Sequence, residues 1–211
     1  MNKAKCIIIA ASDFNLNYLK KNENDLLIVC DAGYLNFKKI NNLNDNDIDL
    51  LIGDFDSLKD IPDNINTIKL NPIKDDTDVC DAIKYALSKG YLDFDLYACI
   101  GGRLEHSLAN ISLLGFLKDN NASARIINGN QIIELLENES KCFDETFTSY
   151  FSCFPFSENA LVSIKGMKYE LDNYLLENTF PLGIDNEFIN KKSIIEVKQG
   201  KVLIIYYKNR G

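Results

Sequence analysis

Four short apolar runs in the first hundred residues constrain the fold most. They are Lys5–Ala10 (KCIIIA), Leu26–Cys30 (LLIVC), Leu50–Ile52 (LLI) and Leu96–Ile100 (LYACI). A strand with one wet face alternates apolar and polar residues, whereas a run without alternation must be covered on both faces. That requirement selects a parallel sheet flanked by helices. Two helical stretches are available. Over Asp78–Lys89, Val79, Ala82, Ile83, Ala86 and Leu87 recur at helical spacing and form one apolar face. Asp76 or Thr77 is placed to cap this helix and Gly90 to end it. Over Leu104–Leu117 the expected apolar side is Leu104, Leu108, Ile111, Leu114 and Leu117. A polar helix is expected at Asn15–Lys21, one or two helical turns at Tyr34–Ile40, and a further strand at Ile65–Leu70. The reading is a doubly wound α/β domain with a mostly parallel sheet, spanning residues 1–125.

The pattern changes near residue 125. Arg125–Ile127 and Gln131–Leu136 read as strands around an Asn128-Gly129 hairpin turn. Short β runs then follow at Tyr150–Pro155, Ala160–Lys165, Glu187–Ile189, Ser193–Val197 and Lys201–Tyr207, with no helical periodicity between them. Residues 126–211 are therefore expected to form an all-β, sandwich-like domain. The six cysteines contain no CxxC pair, and most lie in apolar stretches, as buried free thiols do. The first apolar run is too short for a signal-peptide core or a membrane span. The expectation is a cytoplasmic protein without a membrane partner.

Charge is concentrated where the strands end. Residues 45–81 hold eleven aspartates against three lysines, which is the whole of the net charge of -8. An acidic run is usually a solvated face. Here, however, the carboxylates follow apolar runs directly. Leu50–Ile52 leads into Gly53-Asp54-Phe55-Asp56-Ser57, where Gly53 lets the chain turn and Asp54 and Asp56 flank one residue. Paired hard carboxylates on a loop suit Mg²⁺. KDDTD, Lys74 to Asp78, opens the next helix, whose N-terminus with Thr77 can receive an anion. Asp76 and Asp78 also have a purely helix-capping reading. Gly101-Gly102-Arg103-Leu104-Glu105-His106 follows the next strand: the glycines permit close backbone approach, and Arg103 offers a donor fork for phosphate. His106 is the only histidine, and a lone histidine is most often structural. Asp31, in CDAG, is a fourth strand-end carboxylate. Such local negative charge argues against nucleic acid and for divalent cations or a cationic substrate.

In order, CDAG, GDFDSL, KDDTD, GGRLEH and SLAN resemble the thiamine pyrophosphokinase family. The resemblance extends to YFSCFPFSE (Tyr150–Glu158), KGMKYELDN (Lys165–Asn173) and GIDNEF (Gly183–Phe188). It implies an N-terminal α/β domain, a C-terminal β-sandwich, and a homodimer with active sites at the interface. It implies transfer of the pyrophosphoryl group of ATP to the hydroxyl of thiamine, giving thiamine diphosphate and AMP. By motif match, Asp54, Asp56 and Asp78 hold Mg²⁺ on the phosphates. Asp31, Lys74, Asp75, Thr77, Arg103, Glu105, His106 and Asn110 lie on the ATP side, with Asp75 and Arg103 also catalytic. Asp185, Asn186 and Glu187 lie on the thiamine side, in the partner's site. Asp75 or Asp31 would accept the hydroxyl proton. The chain departs from the family at Ala11-Ser12, where Gly-Gly is usual, at Glu105, where aspartate is usual, and at Asp185, where serine is usual. One alternative is a non-catalytic thiamine- or nucleotide-binding protein of the same fold. Another is a DxD phosphohydrolase of the haloacid dehalogenase type, with the first aspartate as nucleophile; that fragment usually lies on the first strand and is not followed by an all-β half.

Overall fold

A computed structural model of the protein describes residues 4–13, 15–58, 60–71 and 76–208. It divides into two compact units, Met1–Gly129 and Asn130–Gly211. The expected boundary after residue 125 falls inside a strand, Ser123–Asn128, and the division lies just beyond that strand.

The first unit contains strands β1 (Cys6–Ile9), β2 (Leu26–Cys30), β3 (Leu50–Gly53), β4 (Thr67–Lys69), β5 (Asp93–Tyr97) and β6 (Ser123–Asn128). Their order is β6-β5-β1-β2-β3-β4, and all pairs are parallel. Helices α1 (Gly33–Phe37), α2 (Asp78–Ser88) and α3 (Leu104–Asp119) complete it. On one face Ile7, Ile9, Leu27, Val29 and Leu51 pack with Tyr34, Phe37 and Ile40 of the α1 region. The alternate residues Cys6, Ile8, Ile28, Cys30 and Ile52 are equally buried, so both faces are covered, as unalternated runs require. Each such Ile, Leu or Val contributes about 1.5–3 kcal/mol by leaving water.

Three expectations for this unit are corrected. Asn15–Lys21 forms no helix. Its backbone groups are taken by distant side chains and loops: Leu19 N–H donates to Asn42 Oδ1 at 3.0 Å, Asn42 Nδ2 donates to Leu19 O at 2.8 Å, and Asn17 O accepts from Asn41 N–H at 2.8 Å. Asparagine side chains offer the backbone an alternative to the helical ladder. The strand expected at Leu96–Ile100 begins three residues earlier, at Asp93. Its aspartates are tolerated because Asp95 accepts from Arg125 Nε at 2.9 Å and Lys5 Nζ at 3.2 Å. The buried side of α3 is Ser107, Asn110, Leu114 and Leu117, whereas Leu104 and Leu108 are 69% and 55% exposed.

The second unit contains β7 (Gln131–Glu137), β8 (Ser140–Phe143), β9 (Tyr150–Pro155), β10 (Asn159–Lys165), β11 (Leu171–Glu177), β12 (Asn186–Glu187), β13 (Ser193–Gln199) and β14 (Lys201–Tyr207). Within this unit they make two four-stranded layers, β12-β9-β14-β7 and β11-β10-β13-β8, with antiparallel pairing. Ile132, Leu136, Phe151, Val202 and Ile204 of one layer share a core with Phe143, Val162, Ile164, Ile195 and Val197 of the other. This is the expected sandwich. The two strands absent from the expectation, β8 and β11, are the edges of the second layer. Edge strands are short or polar, and so carry the weakest sequence signal. All six cysteines are free, and four are buried. Among the described residues no helix is long and apolar enough to cross a membrane.

Candidate active site

Because the six strands of the first unit are parallel, their carboxyl ends share one edge, where open α/β sheets bind ligands. A cavity of about 580 Å³ lies at that edge. Its walls are Ala10–Ser12 after β1, Asp31 after β2, Asp54 after β3, Asp76–Asp78 at the start of α2, and Gly101–Arg103 before α3. His106 and Asn110 also line it.

Register brings the carboxylates together. Cys30 pairs with Ile52, so the next residues, Asp31 and Gly53, lie side by side, with Asp31 N–H donating to Ile52 O at 2.8 Å. Gly53 is needed for this approach and not for a turn: a Cβ there would stand 2.8 Å from the Asp31 Cβ. Carboxylate oxygens of Asp31, Asp54 and Asp56 then lie within 4.8 Å of one another. Asp54 Oδ1 accepts from Asp56 N–H at 3.2 Å, and Ser57 Oγ donates to Asp56 Oδ1 at 3.0 Å.

Backbone strain supports this grouping. Among the described residues, eight that are not glycine have left-handed φ, and all but Phe55 (64°) and Ala98 (54°) are asparagine or aspartate. Those two follow β3 and β5 at the ligand edge. A left-handed residue with a Cβ costs about 1–2 kcal/mol, and such strain concentrates at functional sites. At Phe55 it sits between the two aspartates of the pair.

Asp31 tests the fit to a cation. Its Oδ1 is buried and has no hydrogen-bond partner among the described residues. Burial pushes the carboxyl above its ordinary value, the Ala32 N–H opposes this, and the charges of Asp78 and Asp54 push it further up. Three crowded carboxylates, one with an unbonded oxygen, suit a hard divalent cation with oxygen ligands. Asp78 lines the same cavity and its charge acts on Asp31, while the close three-carboxylate group is made by Asp31, Asp54 and Asp56.

On the α2 side, Thr77 caps the helix by accepting from Cys80 N–H at 3.2 Å. Asp76 is ion-paired with Lys84 at 2.5 Å. Lys74 and Asp75 lie outside the described residues. On the α3 side, Arg103 Nη2 stands 2.6 Å from Glu105 Oε1, and both side chains are mostly exposed. The Glu105 carboxyl is held below its usual range, first by its own backbone N–H and then by Arg103. Such a solvated pair is weak, so phosphate can replace the carboxylate on the guanidinium. Asn110 is buried and donates Nδ2 to Cys99 O at 2.9 Å, tying α3 to the loop after β5. Ser107, the first residue of SLAN, has no role in the sequence reading, yet its Oγ accepts from Gly101 N–H at 3.1 Å and braces the glycine loop. The signal was its helical spacing of three from Asn110.

In the second unit, Asp185 is exposed with φ 58°, and its N–H donates to Ser152 Oγ at 3.2 Å. The Asn186 amide is buried and spent internally, accepting from Tyr169 N–H at 2.9 Å and donating to Tyr169 O at 2.7 Å. Glu187 is paired with Lys168 at 2.6 Å. Of the three residues expected on the thiamine side, only Asp185 is an exposed one.

Comparisons with known proteins agree with these motifs. The model for the thiamin pyrophosphokinase catalytic domain matches residues 17–126, and that for the thiamin pyrophosphokinase vitamin B1 binding domain matches residues 132–202. Thiamine pyrophosphokinase of Bacillus subtilis (strain 168) is 30% identical over 134 residues, which is 63% of this chain and 63% of that relative, less than two thirds of its length. The crystal structure of thiamine pyrophosphokinase from Bacillus subtilis superposes with a TM-score of 0.81 at 23% identity, covering 98% of this chain and 100% of that one. Thiamin pyrophosphokinase from Candida albicans gives 0.76 at 16% identity, covering 97% of this chain and 89% of that one. The structural likenesses carry the fold, and the two domain models carry the family. The chain belongs to the thiamin pyrophosphokinase family.

Proposed function

We propose that the chain transfers the pyrophosphoryl group of Mg-ATP to the hydroxyl of thiamine, releasing AMP and thiamine diphosphate. The observation that carries this reading is the crowded Asp31–Asp54–Asp56 group, of which Asp31 and Asp54 line one cavity with the capped start of α2 and with Arg103. Asp54, Asp56 and Asp78 would hold Mg²⁺, with Asp31 Oδ1, unpartnered among the described residues, as a further donor, and the ion would supply charge neutralisation for the phosphate groups. The thiamine oxygen bonds to the β-phosphorus while the bond from that phosphorus to the α–β bridging oxygen breaks, and AMP leaves. Arg103 neutralises charge on the group in transit, and Thr77 with the first turn of α2 receives phosphate oxygens. Asp31 is assigned to the metal, so the hydroxyl proton passes to Asp75 in this reading. Positioning and charge neutralisation supply most of the acceleration in phosphoryl transfer. The reading extends to a cytoplasmic homodimer in which residues 183–188 of one copy serve thiamine in the other's site. There the carboxylate of Asp185 suits the thiazolium cation.

Incubation with Mg-ATP and thiamine, resolving AMP from ADP, tests the reaction. AMP with thiamine diphosphate is expected. ADP with thiamine monophosphate, or no turnover by folded protein, rejects it, and phosphate release from a monoester without thiamine indicates the phosphohydrolase instead. Asp56→Asn is expected to abolish turnover while retaining the wild-type circular dichroism; near-normal activity removes Asp56 from the metal set.

A further inference from the structure

The segment Ala10–Ser12 is a wall with space on both sides. It lines the cavity of the candidate site, and Ala11 and Ser12 also line a second cavity of about 420 Å³, to which Asn36 and Lys39 contribute. Between the two cavities the segment is held by directional bonds as well as by contact. On one side Ala10 N–H and Ser12 N–H donate to Tyr97 O and Ala98 O, each at 2.9 Å. On the other, a single side chain takes both carbonyls: Asn36 Nδ2 donates to Ala10 O at 3.0 Å and to Ser12 O at 2.9 Å. Asn36 is 5% exposed, and its Oδ1 accepts from Lys39 Nζ at 2.9 Å, which fixes the amide orientation. One turn earlier on α1, Gly33 lies so close that a Cβ would stand 2.5 Å from Ile9 O. The helix therefore grips the segment at two points, by contact at Gly33 and by hydrogen bonds at Asn36. The Ala11 peptide N–H, in the cavity wall, is outside both sets of bonds.

We propose that Asn36 is a positioning residue for the nucleotide, holding the Ala10–Ser12 wall in the conformation that receives it. Asn36 lines the second cavity and not the candidate site, so it acts through the wall and not by contact. No other side chain of the same size offers two donors from one nitrogen together with an acceptor for Lys39. The proposal rests on the nucleotide reading above, and binding of Mg-ATP to the wild-type protein tests that reading separately.

The test compares the wild type with Asn36→Asp, which keeps the shape but turns a carboxylate on two carbonyls, and with Asn36→Ser, which adds no buried charge and keeps at most one donation. Titration calorimetry with a non-hydrolysable Mg-ATP analogue and steady-state kinetics are the readouts. Loss of two neutral hydrogen bonds from the wall is expected to weaken analogue binding and raise the KM for ATP roughly tenfold. The KM for thiamine is expected to stay unchanged. Asn36→Ser carries the test where Asn36→Asp does not fold. Unaltered analogue affinity in a folded variant, or equal rises in both KM values, overturns the positioning role. A wild-type protein that does not bind the analogue overturns the underlying reading instead.

Discussion

At the scale of single residues, the decisive contrast is between Asp31 and its neighbours. Asp54 and Asp56 were legible from spacing alone, because two carboxylates around one loop residue converge wherever that loop lies. The strained φ of Phe55 makes the convergence firm. Asp31 is a fourth strand-end carboxylate in the sequence, and its place in the group depends on the register of β2 against β3, which no spacing encodes. Its buried, unbonded oxygen carries a desolvation penalty that a cation offsets. Asp31→Asn removes both the penalty and the ligand. Without Mg²⁺ its thermal stability is expected to equal or exceed that of the wild type. The wild-type rise in Tm on adding Mg²⁺ should shrink, and turnover should fall by roughly 10–100-fold or more. Scanning fluorimetry with and without Mg²⁺ checks this: an undiminished Mg²⁺ shift in the variant excludes Asp31 as a ligand.

At the scale of elements, α2 and α3 separate what periodicity reads from what it does not. In α2 the apolar positions Val79, Ala82, Ile83 and Ala86 are the buried ones, and Thr77 is the cap. In α3 leucines recur on more than one side, so hydrophobicity names no single face. The true face includes Ser107 and Asn110 because those polar groups have fixed partners in the loop after β5. The faces are separable by mutation. Leu114→Ala, at a site 1% exposed, is expected to cost about 2–5 kcal/mol. Leu108→Gln, at a site 55% exposed, should stay within about 0.5 kcal/mol of wild type. Urea unfolding of the two variants decides it; equal costs would restore the face read from the leucines. The unformed helix at Asn15–Lys21 and the earlier start of β5 have the same origin, since distant partners settle the local hydrogen bonds and charges in both.

At the scale of the whole molecule, the acidic balance sets the response to pH. Asp25, 5% exposed, accepts from Lys5 N–H at 2.9 Å, from Asn22 N–H at 2.8 Å and from Asn22 Nδ2 at 2.8 Å, joining β1 to the turn before β2. Burial alone raises its carboxyl, but the backbone donors of Asn22 and Lys5 more than reverse this and hold it below the usual range. A carboxyl with a depressed folded-state pKa stabilises fully above its unfolded value and loses that contribution as pH falls through the folded one. Asp25→Ala is therefore expected to lose about 1–3 kcal/mol between pH 5 and 8. The gap to wild type should close below about pH 4. Denaturation midpoints across that range check the sign; a gap that is constant with pH assigns the loss to packing. Local pattern carries the covered parallel strands, the switch to β structure, the paired aspartates and the helix cap. Which carboxylates meet, which side of α3 is buried and how one buried asparagine holds the segment after β1 follow from long-range packing. Periodicity is a property of neighbouring residues, whereas register, burial and hydrogen-bond partners are set by residues tens of positions away, which the folded sheet alone brings within bonding distance.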